Sequence, residues 1–199
     1  INFKILTVNP LTFENDILKY SNDHICFNAL HGPFGEDGKI QKILKINKFK
    51  VTHSNHISSQ NCFKKIKSKK IISKYKILTP EYDVIKVKDI NKQYLMETKK
   101  NFGKFVLKPE SSGSSNGLVI IRSIRDLLNF SKKLNKFINR FDKNEKFLVE
   151  KYISGTELTV SVIKDHSIFK PIEVTEIVSL NNSYDYKAKY TKGLSKHFI

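Results

Sequence analysis

Between Phe105 and Gly117 the chain reads FVLKPESSGSSNG, and this stretch restricts the possible folds more than any other. Phe105, Val106 and Leu107 form a short apolar run of the kind found in a buried strand. Pro109 stops that strand, because proline has no N–H to give to a ladder. Gly113 and Gly117 allow a tight turn and a close backbone approach. Ser111, Ser112, Ser114 and Ser115 place hydroxyls beside exposed N–H groups, with Lys108 at the base of the loop. Leu118 to Ile121 reads as the returning strand, so the segment is a hairpin with a Gly/Ser tip. A cation beneath a loop of exposed amides suits phosphate groups. The loop lacks the G-K-[S/T] ending of a P-loop and does not open into a helix. A flexible serine–glycine surface loop is the alternative.

A second cluster is FLVEKYISGTELTVSVI, Phe147 to Ile163. Its first half reads as a strand ending in Glu150-Lys151-Tyr152-Ile153, broken by Ser154-Gly155. Its second half alternates, with Leu158, Val160 and Val162 on one face, and reads as a half-buried strand. Glu150 and Glu157 border one linker, where carboxylates can accept from an adenine amino group or ribose hydroxyls. Ordinary strand-end charges are the alternative. A third cluster, Tyr184 to Tyr190 with Thr191-Lys192-Gly193, is rich in tyrosine and lysine and fits a lid over an anionic ligand.

The remaining pattern is α/β. A strand is predicted at 3–8, a helix at 11–20, a strand at 24–29, a helix at 38–47 and a short strand at 50–52. This βαβ rhythm implies a parallel sheet with crossover helices. Further helices are predicted at 57–74 and 89–101, with a strand near 75–78 and a turn around Pro80–Asp83. Ser123 and Asp126 form a capping box for a helix whose apolar stripe runs from Ile124 to Ile138. A chain of 199 residues holds one or two domains with a real core. Two distant cysteines, Cys26 and Cys62, make neither a disulfide framework nor a metal motif, and Cys26 reads as a small core residue. No run approaches a membrane span and no signal peptide is visible, which points to the cytoplasm. The net charge of +17 invites a nucleic-acid reading. Against it, Arg122, Arg140 and Arg125 are the only arginines, and the lysines are scattered.

A fourth segment, Leu30-His31-Gly32-Pro33-Phe34-Gly35-Glu36-Asp37-Gly38-Lys39-Ile40-Gln41, joins the other three. Together and in this order, the four resemble the D-alanine–D-alanine ligases of the ATP-grasp superfamily. The resemblance implies an N-terminal parallel α/β domain followed by an ATP-grasp fold cut off at its C-terminus. It divides the chain into 1–62, a central subdomain 63–152 with the Gly/Ser loop, and 153–199, the start of the last subdomain. It implies ATP-dependent joining of two D-alanine molecules through an acyl phosphate, for peptidoglycan precursor synthesis. The alternatives are another ATP-grasp ligase, such as one joining D-alanine to D-lactate, and a basic nonenzymatic nucleic-acid-binding protein.

The same resemblance assigns roles. Lys108 and Lys65 contact the ATP phosphates, with Lys64 a neighbouring rival for Lys65. Glu150 accepts from the adenine amino group, Lys151, Tyr152 and Ile153 line the base, and Glu157 holds the ribose. Ser114 and Ser115 meet the γ-phosphate and substrate, Tyr190 bonds toward Ser114, and Lys189 reaches the phosphates. His31 borders the first D-alanine, or else caps its own loop. The cofactors implied are ATP and Mg²⁺ or Mn²⁺, with the metal ligands expected beyond Ile199 and the 199 residues by themselves inactive. A homodimer is implied as well. One departure stands out. The family usually reads Y-T-G-S where this chain has Val51-Thr52-His53-Ser54, which leaves the first substrate less secure than ATP.

Overall fold

The computed structural model describes residues 4–21, 23–179 and 189–199. It divides into two compact units, Ile1–Lys74 and Tyr75–Ile199.

The first unit is built on one βαβ crossover. Strand β1 (Ile25–Cys26) pairs in parallel with β2 (Lys50–Val51), and α2 (Lys39–Ile46) links them. Ile40, Ile43 and Leu44 share one stripe of α2 and meet Phe13, Ile17 and Phe49 in a small core. The predicted helix over 11–20 shrinks to α1 (Phe13–Asp16) and a single tighter turn, Ile17–Lys19. Residues 4–8 form no strand. A strand needs a ladder partner, and here Ile5 is 85% exposed. The predicted helix over 57–74 is two helices, α3 (His56–Phe63) and α4 (Lys65–Lys74). Lys64 takes an extended conformation between them, and its carbonyl accepts from Ser68 at 2.8 Å, so it starts α4 rather than continuing α3.

The second unit centres on a four-stranded antiparallel sheet in the order β3-β6-β4-β5. Its strands are β3 (Tyr82–Lys86), β4 (Phe105–Pro109), β5 (Val119–Ile121) and β6 (Lys146–Lys151). The hairpin expected around the Gly/Ser tip is present, with Phe105 opposite Ile121 and Leu107 opposite Val119. Pro109 does end β4, facing Phe147. Helices α5 (Lys92–Phe102), α6 (Ile124–Lys132) and α7 (Leu134–Ile138) contribute Leu95, Leu127 and Leu134 to a core completed by Phe105, Leu107, Phe147 and Val149. The capping box forms: Asp126 N–H donates to Ser123 Oγ at 3.1 Å, and Ser123 N–H donates to Asp126 Oδ2 at 2.9 Å. The predicted strand near 75–78 is absent, and β3 lies where a turn was expected. Ile85 is the one buried residue of β3, and the strand is held by its ladder with β6.

A second sheet in this unit has the order β7-β8-β9, from β7 (Leu158–Asp165), β8 (Ile168–Ser179) and β9 (Ser195–Phe198). The half-burial expected of 158–163 does not occur: every residue of β7 is exposed. Alternation describes which face a residue takes, not whether that face is covered. Among the described residues no helix is long and apolar enough to cross a membrane.

Candidate functional site

Among the residues expected at the site, three pairs come together in the second unit, of which Ser114 with Tyr190 was expected as a pair. The first is Lys108 with Glu150. In the antiparallel ladder Lys108 is opposite Leu148, and Glu150 is opposite Val106, so the two are diagonal neighbours on one face. Their side chains form a direct ion pair. Glu150 is 5% exposed. A carboxylate so buried needs a cation and hydrogen bonds to offset its desolvation, and Lys108 is that cation.

The second pair joins the loop to the lid-like segment. Ser114 Oγ and Tyr190 Oη lie 2.6 Å apart across 76 residues of sequence. Ser114, Ser115 and Gly117 have φ of 51°, 59° and 74°. The two serines are left-handed without being glycine, which costs energy unless the surroundings hold them. Ser112 Oγ donates to the Asn116 carbonyl at 3.0 Å, bracing the tip from within. Gly117 cannot be replaced freely: a Cβ there would lie 2.7 Å from Pro109 Cγ and 2.9 Å from Phe141 Cζ. Residues 180–188, which include Tyr184 to Ala188 of the expected lid, lie outside the described residues.

The third pair is Glu157 with Lys189. Burial holds the Glu157 carboxyl above its ordinary range, and the nearby Lys189 charge opposes this only in part. The Glu157 carbonyl also accepts from Ile177 N–H at 2.8 Å, which ties the start of β7 to β8. Between Glu150 and Glu157, the backbone N–H groups of Lys151 and Tyr152 donate to the carbonyls of Glu81 and Lys104, both at 2.9 Å. Ile153 is 62% exposed. The Arg122 guanidinium sits 5.3 Å from the centre of the Tyr152 ring. That contact was not foreseen, because the cluster around Arg122 carries no motif and β5 brings it there only in three dimensions.

Lys65 and His31 belong to the first unit, at the start of α4 and in the loop before α2. His31 Nδ1 is 3.8 Å from Glu36 Oε1 and is mostly exposed. His31 and Glu36 line an open pocket of about 560 Å³ together with Phe27, Gln41, His53 and Ser54. Gly35 also lines it, and a Cβ at that position would lie 2.5 Å from Leu30 Cβ. The Gly35 carbonyl accepts from Asn28 Nδ2 and Gln41 Nε2, each at 2.7 Å. His53, which takes the place of the family's usual glycine, lies in this wall, its Nδ1 2.8 Å from the Ser54 carbonyl. A carbonyl only accepts, so Nδ1 carries the proton. Among the described residues no three His, Cys, Asp or Glu side chains are grouped to hold a metal ion.

Comparison with known proteins bears on this arrangement. Residues 43–199 match the profile of the D-ala D-ala ligase C-terminus family. The D-alanine–D-alanine ligase of Wolbachia pipientis wMel is 39% identical over 182 residues, which cover 92% of this chain and 53% of that protein. The crystal structure of the Bacillus anthracis D-alanine–D-alanine ligase superposes with a TM-score of 0.68 at 27% identity, over 98% of this chain and 59% of that one. The same enzyme complexed with ATP gives 0.62 at 25% identity, over 94% of this chain and 56% of that one. The chain thus spans about half the length of the curated relatives it matches. A profile covering most of the chain, and neighbours with the ATP-grasp fold, lead to one conclusion: the chain belongs to the D-alanine–D-alanine ligase family.

Proposed function

We propose that this chain supplies the nucleotide-binding part, and part of the first-substrate pocket, of an ATP-dependent ligase that joins two D-alanine molecules for peptidoglycan precursors. The observation that carries the reading is the Ser114–Tyr190 contact of 2.6 Å, in the same unit as the Lys108–Glu150 pair. It joins the Gly/Ser loop to the lid-like segment beside strands that present a cation. The ATP complex of the Bacillus anthracis relative supports the choice of nucleotide.

The chemistry explains why such residues are used. A carboxylate does not react with an amine at neutral pH, because its carbonyl is a poor electrophile. Transfer of the γ-phosphoryl group to one D-alanine carboxylate gives an acyl phosphate, which the amine of the second attacks with loss of phosphate. Phosphoryl transfer asks the protein mainly for positioning and charge neutralisation. Lys108, Lys189 and Lys65 supply cations, and Ser114 and Ser115 supply hydroxyls and amides to the γ-phosphate. Glu150 accepts from the adenine amino group with Lys151, Tyr152 and Ile153 around the base, and Glu157 takes the ribose hydroxyls. His31 borders the first D-alanine. Mg²⁺ or Mn²⁺ would neutralise the phosphates, but the described residues offer no cluster that fits it. What this chain's own side chains add is positioning and cationic contact with the phosphates. A homodimeric, cytoplasmic enzyme completes the proposal, and sedimentation velocity on the protein tests the dimer.

The Lys108–Glu150 pair shapes the test. Lys108→Ala would leave the Glu150 carboxylate buried without its cation, and breaking a buried pair from one side costs about 3–5 kcal/mol when burial is complete. Lys108 is one-quarter exposed, so the cost here is smaller. Lys108→Met with Glu150→Gln removes both charges at once. In calorimetric titration with ATP and Mg²⁺, this pair variant should bind about tenfold or more weakly than the parent, with the melting temperature nearly kept. Equal affinity would remove the phosphate and adenine assignments together.

A further inference from the structure

The tip of the Gly/Ser loop has a second attachment, from the end of α7. Arg140 Nη2 donates to Asn116 Oδ1 at 3.2 Å. The same guanidinium lies 5.5 Å from the centre of the Phe141 ring and 6.0 Å from that of Phe137. These rings are not a loose surface pair. Phe141 meets Phe147 edge-on at 5.0 Å and Phe137 at 5.2 Å. Phe147 is fully buried, and its ladder partner is Pro109, the residue from which the loop departs. Phe141 also closes on Gly117, where a Cβ would approach within 2.9 Å. An aromatic wedge therefore fixes where the loop ends, and Arg140 holds the residue just before that end.

Fixing Asn116 matters because of what precedes it. Ser114 and Ser115 hold left-handed conformations that a serine leaves readily when free. Asn116 N–H donates to the Gly113 carbonyl at 3.0 Å and Leu118 N–H to the Ser115 carbonyl at 3.2 Å, so the two serines are spanned by bonds that start or end at Asn116 and its neighbours. A guanidinium within cation–π reach of two rings is well suited to this work. Its planar fork loses little freedom on donating.

We infer that Arg140 is a positioning residue for the Gly/Ser loop: through Asn116 it holds Ser114 and Ser115 in the conformation that presents them to a bound polyphosphate. The choice of ligand rests on the function proposed for the chain; the anchoring does not. Arg140 acts through Asn116 and is assigned no contact with phosphate or substrate.

The test uses the 199-residue chain with Arg140→Ala, Asn116→Ala, the double variant and Arg140→Lys. Hydrogen exchange without ligand is measured first. Either single alanine variant should speed exchange of the amides of 112–118 about threefold or more, and leave those of Lys146–Lys151 unchanged. ATP with Mg²⁺ is then titrated calorimetrically. Each single alanine variant should bind about three- to tenfold more weakly, and the double variant no worse than either, because both remove one contact. Arg140→Lys keeps the charge but lacks the planar donating fork, and should resemble Arg140→Ala. Asn116 is exposed, so its variant keeps the fold if loss of Arg140 does not. Additive losses, full rescue by lysine, or unchanged exchange in the loop would each overturn the inference. Faster loop exchange in the variants of a chain that binds no ATP would uphold the anchoring and sink the nucleotide reading.

Discussion

Tyr190 is where a single atom separates two accounts of the lid-like segment. Its hydroxyl meets Ser114, while the residue is 49% exposed. Tyr190→Phe removes one hydrogen bond, about 0.5–1.5 kcal/mol net, and little buried area. The melting temperature of the chain should therefore barely move, while ATP affinity falls about two- to tenfold. A large fall in melting temperature with unchanged affinity would make Tyr190 a packing residue, and the lid reading would go with it. Lys108 and Glu150 teach a different lesson at this scale. Both were legible as charges at strand ends, but their pairing was not, because diagonal contact depends on the register of β4 against β6. His53 is similar: the sequence shows a histidine where glycine was expected, and only the fold puts it in the wall with His31 and Gln41.

Among elements, the start of α6 is the clearest case of local sequence deciding structure, although the single helix expected through Ile138 breaks at Lys133, whose backbone leaves the helical region, and resumes as α7. Ser123 and Asp126 satisfy each other's backbone donors, and the helix starts where the capping box says it should. Ser123→Ala should cost about 1 kcal/mol of stability in the second unit, read as a shift in the denaturant midpoint with unchanged slope. Hydrogen bonds from the backbone N–H and side chain of Ser123, and then from Arg122 N–H, hold the Asp126 carboxyl below its ordinary range. A lowered carboxyl pKa gives a contribution present at neutral pH, fully so above the unfolded value. It is lost as pH falls through the lower folded value. Asp126→Asn should thus flatten the acid side of the stability curve below the usual aspartate range; an unchanged curve would mean the box adds nothing. The aromatic wedge carries more energy. Phe147→Ala opens a cavity under Phe137, Phe141 and Pro109 and should destabilise the unit by about 3–5 kcal/mol, which thermal or denaturant unfolding would register directly.

At the scale of the whole chain, the two sheets of the second unit differ in kind. The sheet holding β4 and β6 is packed by α5, α6 and α7, with Phe105, Leu107, Phe147 and Val149 fully buried. The sheet of β7, β8 and β9 shows Val160 at 44%, Phe169 at 70% and Val174 at 52% exposure. Protection follows burial and packing rather than hydrogen bonding in isolation. Native-state hydrogen exchange should find the amides of β6 the slowest in the chain and those of β7 faster by at least about tenfold. Equal protection in the two strands would show that β7 is covered in solution. Apolar area of this extent also attracts partners, so a fluorescent dye for apolar surface should bind the chain and report on this sheet.

The sequence by itself determined the features whose physics is local. The Gly/Ser hairpin, the capping box, the crossover over α2 and the four ordered motifs that mark the ligase family all follow from short patterns, because turns, caps and amphipathic stripes are set within a few residues. Tertiary structure decided the rest. β3 is a strand only because β6 offers it a ladder, and residues 4–8 are not one because nothing among the described residues of that unit pairs with them. Alternation along β7 could not say that both of its faces are exposed. The long-range contacts at and around the candidate site, Lys108 with Glu150, Ser114 with Tyr190 and Asn116 with Arg140, join residues 42, 76 and 24 positions apart. Contacts at such separations are chosen by register and packing, which no window of sequence contains.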